Sequence, residues 1–262
     1  MTATLILGAL GSGILIGAIL GLIGGGGSIL AVPLLLYVVG MTNPHLAIGT
    51  GAVAVAVNAL SGLIAHARNG TIKWRCAALF SLAGIVGAAF GSTLGKAMDG
   101  QKLLALFGLV MIGVGLMAAR KPVRPDVPDV RLTMASAGQL APRLALSGVG
   151  VGLASGFFGI GGGFLIVPGL MWATAMPMSV AVGTSLVGVA AFGATTTFNY
   201  ALSGLVDWPI AGLLILGGFA GSALGTRLSA RLGTQKRALS LVFAAIVVLV
   251  GCWIAYQGFS QI

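Results

Sequence analysis

Glutamate is absent from this chain, and its only carboxylate side chains are Asp99, Asp126, Asp129 and Asp207. The histidines number two, His45 and His66. An enzyme needs an acid–base, nucleophilic or metal-binding constellation, and these few groups, scattered through loops and near the ends of apolar segments, do not supply one. No catalytic residue, metal site or cofactor is expected. Cysteine is equally scarce. Cys76 and Cys252 lie at or inside apolar segments with no partner motif, and are read as free buried thiols that say nothing about a redox compartment. Lysine and arginine are missing before Arg68. A cleavable signal opens with a basic stretch, so the first apolar segment is expected to be retained.

Charge of either sign is rare, at 7% of residues against about 25% in soluble domains. What is present instead is apolar: 58% of residues are hydrophobic and the mean hydropathy is +1.09. The chain therefore reads as an all-α polytopic membrane protein, with the lipid bilayer as its first partner. Its 44 glycines and 9 prolines fit, since both are commoner in membrane helices than in soluble ones. The net charge of +10 would suggest nucleic acid only if the basic residues formed a soluble face. They lie in short loops between apolar spans, where they set orientation, and no nucleic-acid partner is expected.

The sequence repeats itself. GLIGGGGSILAVP at 21–33 resembles GFFGIGGGFLIVP at 156–168, and from Ala47 a constant offset of 134 residues pairs AIGTGAV with AVGTSLV, ARNGTIKW with ALSGLVDW, and AGIVGAAFGSTLG with GGFAGSALGTRLS. A register held through several helices and loops marks a duplication. Each half has a glycine-broken segment followed by three spans, expected at 46–67, 76–95 and 103–119 and at 179–201, 209–229 and 237–257, each long enough for a bilayer. The expected division is a first repeat at 1–119, a polar, proline-rich cytoplasmic linker at 120–143, and a second repeat at 144–262.

Loop charges oppose the two halves. Arg68, Lys73 and Arg75 follow the first continuous span of half one, where half two has only Asp207; the next loop holds Lys96, Asp99 and Lys102 in half one and Arg227, Arg231, Lys236 and Arg237 in half two. Basic loops face the cytoplasm, so equivalent loops should lie on opposite sides. The halves are thus expected to be inverted-topology repeats, each a glycine-broken helical hairpin plus three transmembrane helices, giving about 8–10 membrane segments. Both termini then lie outside the cytoplasm. The hairpin arms of half two, about 15 and 12 residues, are short for crossings and suggest re-entrant or tilted arms; in half one the first arm, 3–22, could span alone.

The glycine breaks precede short helices expected at 28–39 and 163–174. A helix N-terminus has amide groups without intrahelical partners and a partial positive charge, and glycine lets a ligand approach the backbone closely. Irregular backbone at membrane depth is tolerated where it lines a cavity, and inverted halves bring two such tips together at the midplane. The candidate anion-binding residues are Gly24, Gly25, Gly26, Gly27 and Ser28 in one tip, and Gly161, Gly162 and Gly163 in the other. Thr50, Asn58, Thr184 and Ser185 in the following span join them. By contrast, Gly87, Gly91 and Gly95, and Gly221 and Gly225, have the four-residue spacing of a packing face.

The pattern GxxGxGGG-x-x-x-VP, followed by Gly-Thr-Ser/Gly in the next span and repeated in both halves, resembles the TauE/SafE family of sulfite and organosulfonate exporters, grouped with the toluenesulfonate uptake permeases. The likeness covers nearly the whole chain. It implies an inner-membrane carrier of small anions such as sulfite or sulfoacetate, without fixing the cargo. One departure is that the first tip reads GGGGS where the second reads GIGGGF. An anion channel, a carrier of a non-sulfur organic anion and a purely structural membrane protein remain alternatives at this point. Direction, coupling ion and oligomeric state, including a homodimer, stay open. No aspartate lies within a span, so coupling through a buried acid is not expected.

Overall fold

The computed structural model describes residues 3–23, 25–119, 132, 134–159, 161, 163–231 and 236–260. Among them are ten α-helices: α1 (Ala3–Ile23), α2 (Ala31–Tyr37), α3 (Pro44–Arg68), α4 (Trp74–Ala97), α5 (Gly100–Ala119), α6 (Met134–Phe158), α7 (Gly163–Thr174), α8 (Met178–Ala201), α9 (Trp208–Arg231) and α10 (Lys236–Ser260). A 3₁₀ segment, Gly25–Leu30, joins α1 to α2. Seven of the helices are long and apolar enough to cross a membrane, namely α1, α3, α4, α5, α6, α8 and α9, and α10 has 25 residues. The protein is an all-α, multi-pass membrane protein.

Local chemistry explains the helix ends. Asn43 Oδ1 accepts from the amides of His45 and Leu46 ahead of α3, with Pro44 in the first helical position. Asp99 Oδ1 does the same for Gln101 and Lys102 in α5, and Asp207 Oδ1 for Ile210 in α9. After α3 and after α8 the chain closes on a left-handed glycine, Gly70 (φ +65°) and Gly204 (φ +69°), whose amides reach Ala67 O and Ala201 O. These two glycines are one repeat apart, so the same turn ends the same helix in each half.

Helix directions follow from what each glycine touches. Along α1, Gly13, Gly17 and Gly21 meet Leu214, Gly218 and Ser222 of α9 in ascending order; along α4, Gly87, Gly91 and Gly95 meet Val149, Leu153 and Phe157 of α6. Both pairs are parallel, and each joins a hairpin arm of one half to a span of the other. The α3–α8 pair is antiparallel, since Gly49 meets Tyr200 and Leu205, and Gly62 meets Leu186. So is α5–α10, with Gly108 on Ala255 and Gly115 on Ala244. In these two pairs, therefore, the helices matched by the sequence repeat run in opposite directions. Arg68, Lys73, Arg75 and Arg227 collect at one end of the bundle, and Lys96, Asp99, Lys102 and Asp207 at the other.

The glycines at 87, 91, 95, 221 and 225 are packing residues, as their spacing indicated. A Cβ on any of them would strike backbone atoms of the facing helix, so helix axes approach to a separation that only glycine allows. Aromatic and aliphatic side chains left exposed, including Leu82, Phe90, Leu146, Phe198, Leu249 and Tyr256, form the surface offered to lipid. Trp74 and Trp208, one repeat apart, are exposed at opposite ends of the bundle, where interfacial tryptophan is favoured.

Three expectations change. Helix α6 starts at Met134, inside the stretch expected to be linker, and its 25 residues (about 37 Å) make it long enough to cross. Pro142 sits inside it, which membrane helices tolerate when neighbours satisfy the freed carbonyl. The short helix of half one begins at Ala31 rather than residue 28, because the glycine run winds into the 3₁₀ segment first. Cys252 is exposed, whereas Cys76 is buried and free.

Candidate anion site

The two glycine tips meet. The 3₁₀ segment packs against α7 and α1 and also touches α3 and α8. In the second tip Gly159 (φ +65°) and Gly161 (φ +63°) turn the chain from α6 into α7, a left-handed conformation that side chains resist. Gly159 lies against Ile48, and Gly161 against Val55 and Val189, so this tip is wedged between α3 and α8. Gly163, the first residue of α7, is buried. Gly24 and Gly162 lie outside the described residues.

The first tip differs. Gly25, Gly26, Gly27 and Ser28 all belong to the 3₁₀ segment. A Cβ on Gly27 would meet Ile16 O and Leu20 N of α1, so this glycine serves a close backbone approach within its own hairpin. Ser28 is fully buried.

Thr50 and Thr184 have a structural task. Thr50 Oγ1 accepts from the amide of Asp207 at 2.9 Å, and Thr184 Oγ1 from the amide of Lys73 at 3.1 Å. Each hydroxyl ties the first span of one half to the loop of the other, and the two bonds are one repeat apart. Ser185 Oγ donates to Val182 O at 2.8 Å within its own helix, a common use of intramembrane serine.

Asn58 is different in kind. It is fully buried, and neither its Nδ2 nor its Oδ1 has a partner. The amide lies flat on Gly218 of α9. One repeat away, Phe192 occupies the same relation to Gly84 and stacks on Phe80 at 5.9 Å between ring centroids. One half thus fills this level with an aromatic ring and the other with an unpaired amide. A buried polar group without a partner costs about 1–3 kcal/mol.

Sequence reasoning missed a polar cluster around the half-buried Lys96. Lys96 Nζ donates to Asn199 O at 2.9 Å, Asn199 Oδ1 at 2.6 Å and Ser203 Oγ at 2.7 Å, and lies 5.9 Å from the centroid of the Tyr200 ring. Asn199 Nδ2 in turn reaches Ser92 Oγ at 2.6 Å and Thr93 Oγ1 at 2.9 Å. The lysine caps the C-terminal end of α8, where a cation is favoured. Comparing the halves position by position marks it out: Lys96 and Asn199 are matched by Ala230 and Ala65. A surface depression lined by Leu36, Tyr37, Met41 and Gln101 lies at this same end.

The family model for the sulfite exporter TauE/SafE matches residues 9–254. The chain belongs to the TauE/SafE family. Two relatives from Xylella fastidiosa, each named "Probable membrane transporter protein", are 49% (strain Temecula1) and 48% (strain 9a5c) identical over 262 residues, covering 100% of this chain and 99% of each relative. The "Probable membrane transporter protein YunE" of Bacillus subtilis is 27% identical over 263 residues, covering 94% of this chain and 96% of its own. No solved structure matches the chain. In this TauE/SafE member the family match covers both glycine tips.

Proposed function

We propose that this TauE/SafE protein is a secondary transporter that moves a small anion, sulfite or an organosulfonate-like sulfur oxyanion, across the inner membrane. The two halves act as inverted repeats, and the anion sits between the glycine tips, held by backbone amides. Alternating access follows from rocking one half against the other. The observation that carries this reading is a buried polar group: Asn58 on α3, fully enclosed against Gly218 of α9, presents an amide with both atoms unpaired. Such a group is stabilised when a polar guest supplies the missing partners. Amide donors and an uncharged carboxamide suit an oxyanion.

The opposed directions of equivalent helices support the inversion, and the basic residues gathered at one end support placing that end in the cytoplasm. Both termini then lie on the other side. Thr50 and Thr184 support the enclosure by holding the loops, and the glycine tips with Asn58 face the anion.

The test is counterflow in proteoliposomes. Vesicles loaded with unlabelled sulfite should accumulate external labelled sulfite transiently, with a rate that saturates. An unsaturating, voltage-following current without counterflow would replace the carrier with a channel, and no flux of sulfite, sulfoacetate or taurine would remove the sulfur-anion assignment.

A further inference from the structure

The two tips are unequal in what surrounds them. On α6, Ser147, Val151 and Ser155 form one row at four-residue spacing. Ser147 Oγ donates to Gly169 O of α7 at 3.0 Å, and Val151 lies against the same glycine. Because α7 runs back along α6, Ser155 continues this row toward the first turn of α7, which is six residues (about 9 Å) before Gly169. Ser155 is fully buried and its hydroxyl has no partner. On α8, Phe192 packs on Gly84 of α4, Gly193 on Ala52 and Ala56 of α3, and Tyr200 abuts Gly49 of α3. Thr196, three residues past Gly193 and four before Tyr200, faces the same seam. That seam is where Gly159 rests on Ile48. Thr196 is also fully buried with an unpartnered hydroxyl.

The equivalent positions in the first half are Leu20 and Gly62. Neither offers a hydroxyl, and the space at Gly62 is taken by the Leu186 side chain. At these two positions the unpaired buried hydroxyls of the second half are replaced by residues without a hydroxyl in the first. The first tip, moreover, is wound into the 3₁₀ segment and packed on α1.

Resting on the anion-carrier reading, we propose that the tight anion subsite is built on the second tip alone. Ser155 and Thr196 donate side-chain hydrogen bonds that complete the amide donors of Gly161, Gly163 and the first turn of α7. The class of guest follows from the donor set. Hydroxyls and amides are neutral, and Lys96 is committed to the end of α8. A buried charge without an ionic partner is costly, and the cost grows steeply with charge, so the subsite takes a singly charged oxyanion in preference to a dianion of the same shape.

The experiment compares methanesulfonate, a monoanion, with sulfate, a dianion, by ligand-induced thermal shift and by titration calorimetry on the full chain in detergent. The wild-type protein should bind methanesulfonate at least tenfold more tightly than sulfate. Ser155→Ala and Thr196→Val should each weaken methanesulfonate binding by tenfold or more, as expected for a bond to a charged group. Without ligand, both variants should unfold at or above the wild-type temperature, because the removed hydroxyl had no protein partner. Loss of stability without loss of affinity would make these hydroxyls structural and overturn the subsite. Unchanged affinity in both variants, with binding intact in the wild type, would also overturn it while leaving the carrier reading standing. If the wild-type protein binds neither probe nor sulfite, the anion reading falls and this subsite falls with it.

Discussion

At the residue scale, the informative positions are those where the two halves disagree. A duplicated chain gives each side chain a partner one repeat away, and most pairs keep their chemistry: Thr50 and Thr184 accept equivalent amides, and Gly70 and Gly204 make equivalent turns. Lys96 and Asn58 break the pattern. Replacing Lys96 by methionine should remove three hydrogen bonds and leave the carbonyl of Asn199 without its cap. With screening at this partly exposed end, a loss of about 1–2 kcal/mol is expected, read as a lower unfolding temperature in detergent. Asn58→Leu should do the opposite. It removes an unpaired amide from the core, so stability should rise by about 1 kcal/mol while counterflow falls at least tenfold. A stability loss in Asn58→Leu would mean that the amide is already satisfied within the fold. The sequence offers Asn58 as a polar residue inside the span that follows the first tip. It passed over Ser155 and Thr196, because intramembrane hydroxyls ordinarily bond their own helix, and only packing reveals which ones do not.

At the element scale, glycine does two separate jobs that spacing distinguishes. Glycines four residues apart make flat faces, and α1–α9 and α4–α6 use them to bring backbones into contact. Gly91 faces Leu153 O and Gly152 faces the backbone of Gly84, whereas Gly150 faces open space. Gly91→Leu and Gly152→Leu should each cost about 3 kcal/mol or more through forced separation, and folded yield should drop sharply. Gly150→Leu should leave both yield and unfolding temperature unchanged. Consecutive glycines make turns instead, and the α7 helix at Gly163–Thr174 that follows the second tip has the bounds expected from the sequence. The first tip does not, since a run of four glycines followed by serine leaves local preference too weak to choose between a loop and a 3₁₀ turn. The length of α6 was hidden for a related reason. Pro142 and Arg143 read as linker residues, but a proline within a helix supported by α4 alongside it need not end that helix.

At the scale of the whole molecule, the first arm of each hairpin, α1 or α6, crosses over to pack on the other half, and the α3–α8 and α5–α10 pairs are antiparallel. The expectation of opposed halves comes from the 134-residue offset combined with alternating loop charge, because those two patterns need no knowledge of packing. The exchange of α1 and α6 between halves was not legible, since it depends on which glycine face meets which. Crossing arms couple the halves, so movement of one must carry the hairpin arm of the other. Transport by rocking therefore requires the α1–α9 and α4–α6 pairs to move as units. Cross-linking α1 to α9 should be tolerated, whereas cross-linking α3 to α8 should stop counterflow.

The inversion itself is tested most directly by thiol accessibility at two equivalent loops. With Cys76 and Cys252 replaced by alanine, single cysteines are placed at Asn69, between α3 and α4, and at Leu202, between α8 and α9. In intact cells, a membrane-impermeant maleimide should label Leu202→Cys and spare Asn69→Cys, and inside-out vesicles should show the reverse. Labelling of both positions from the same face would contradict opposed halves, and with them the proposed transport mechanism.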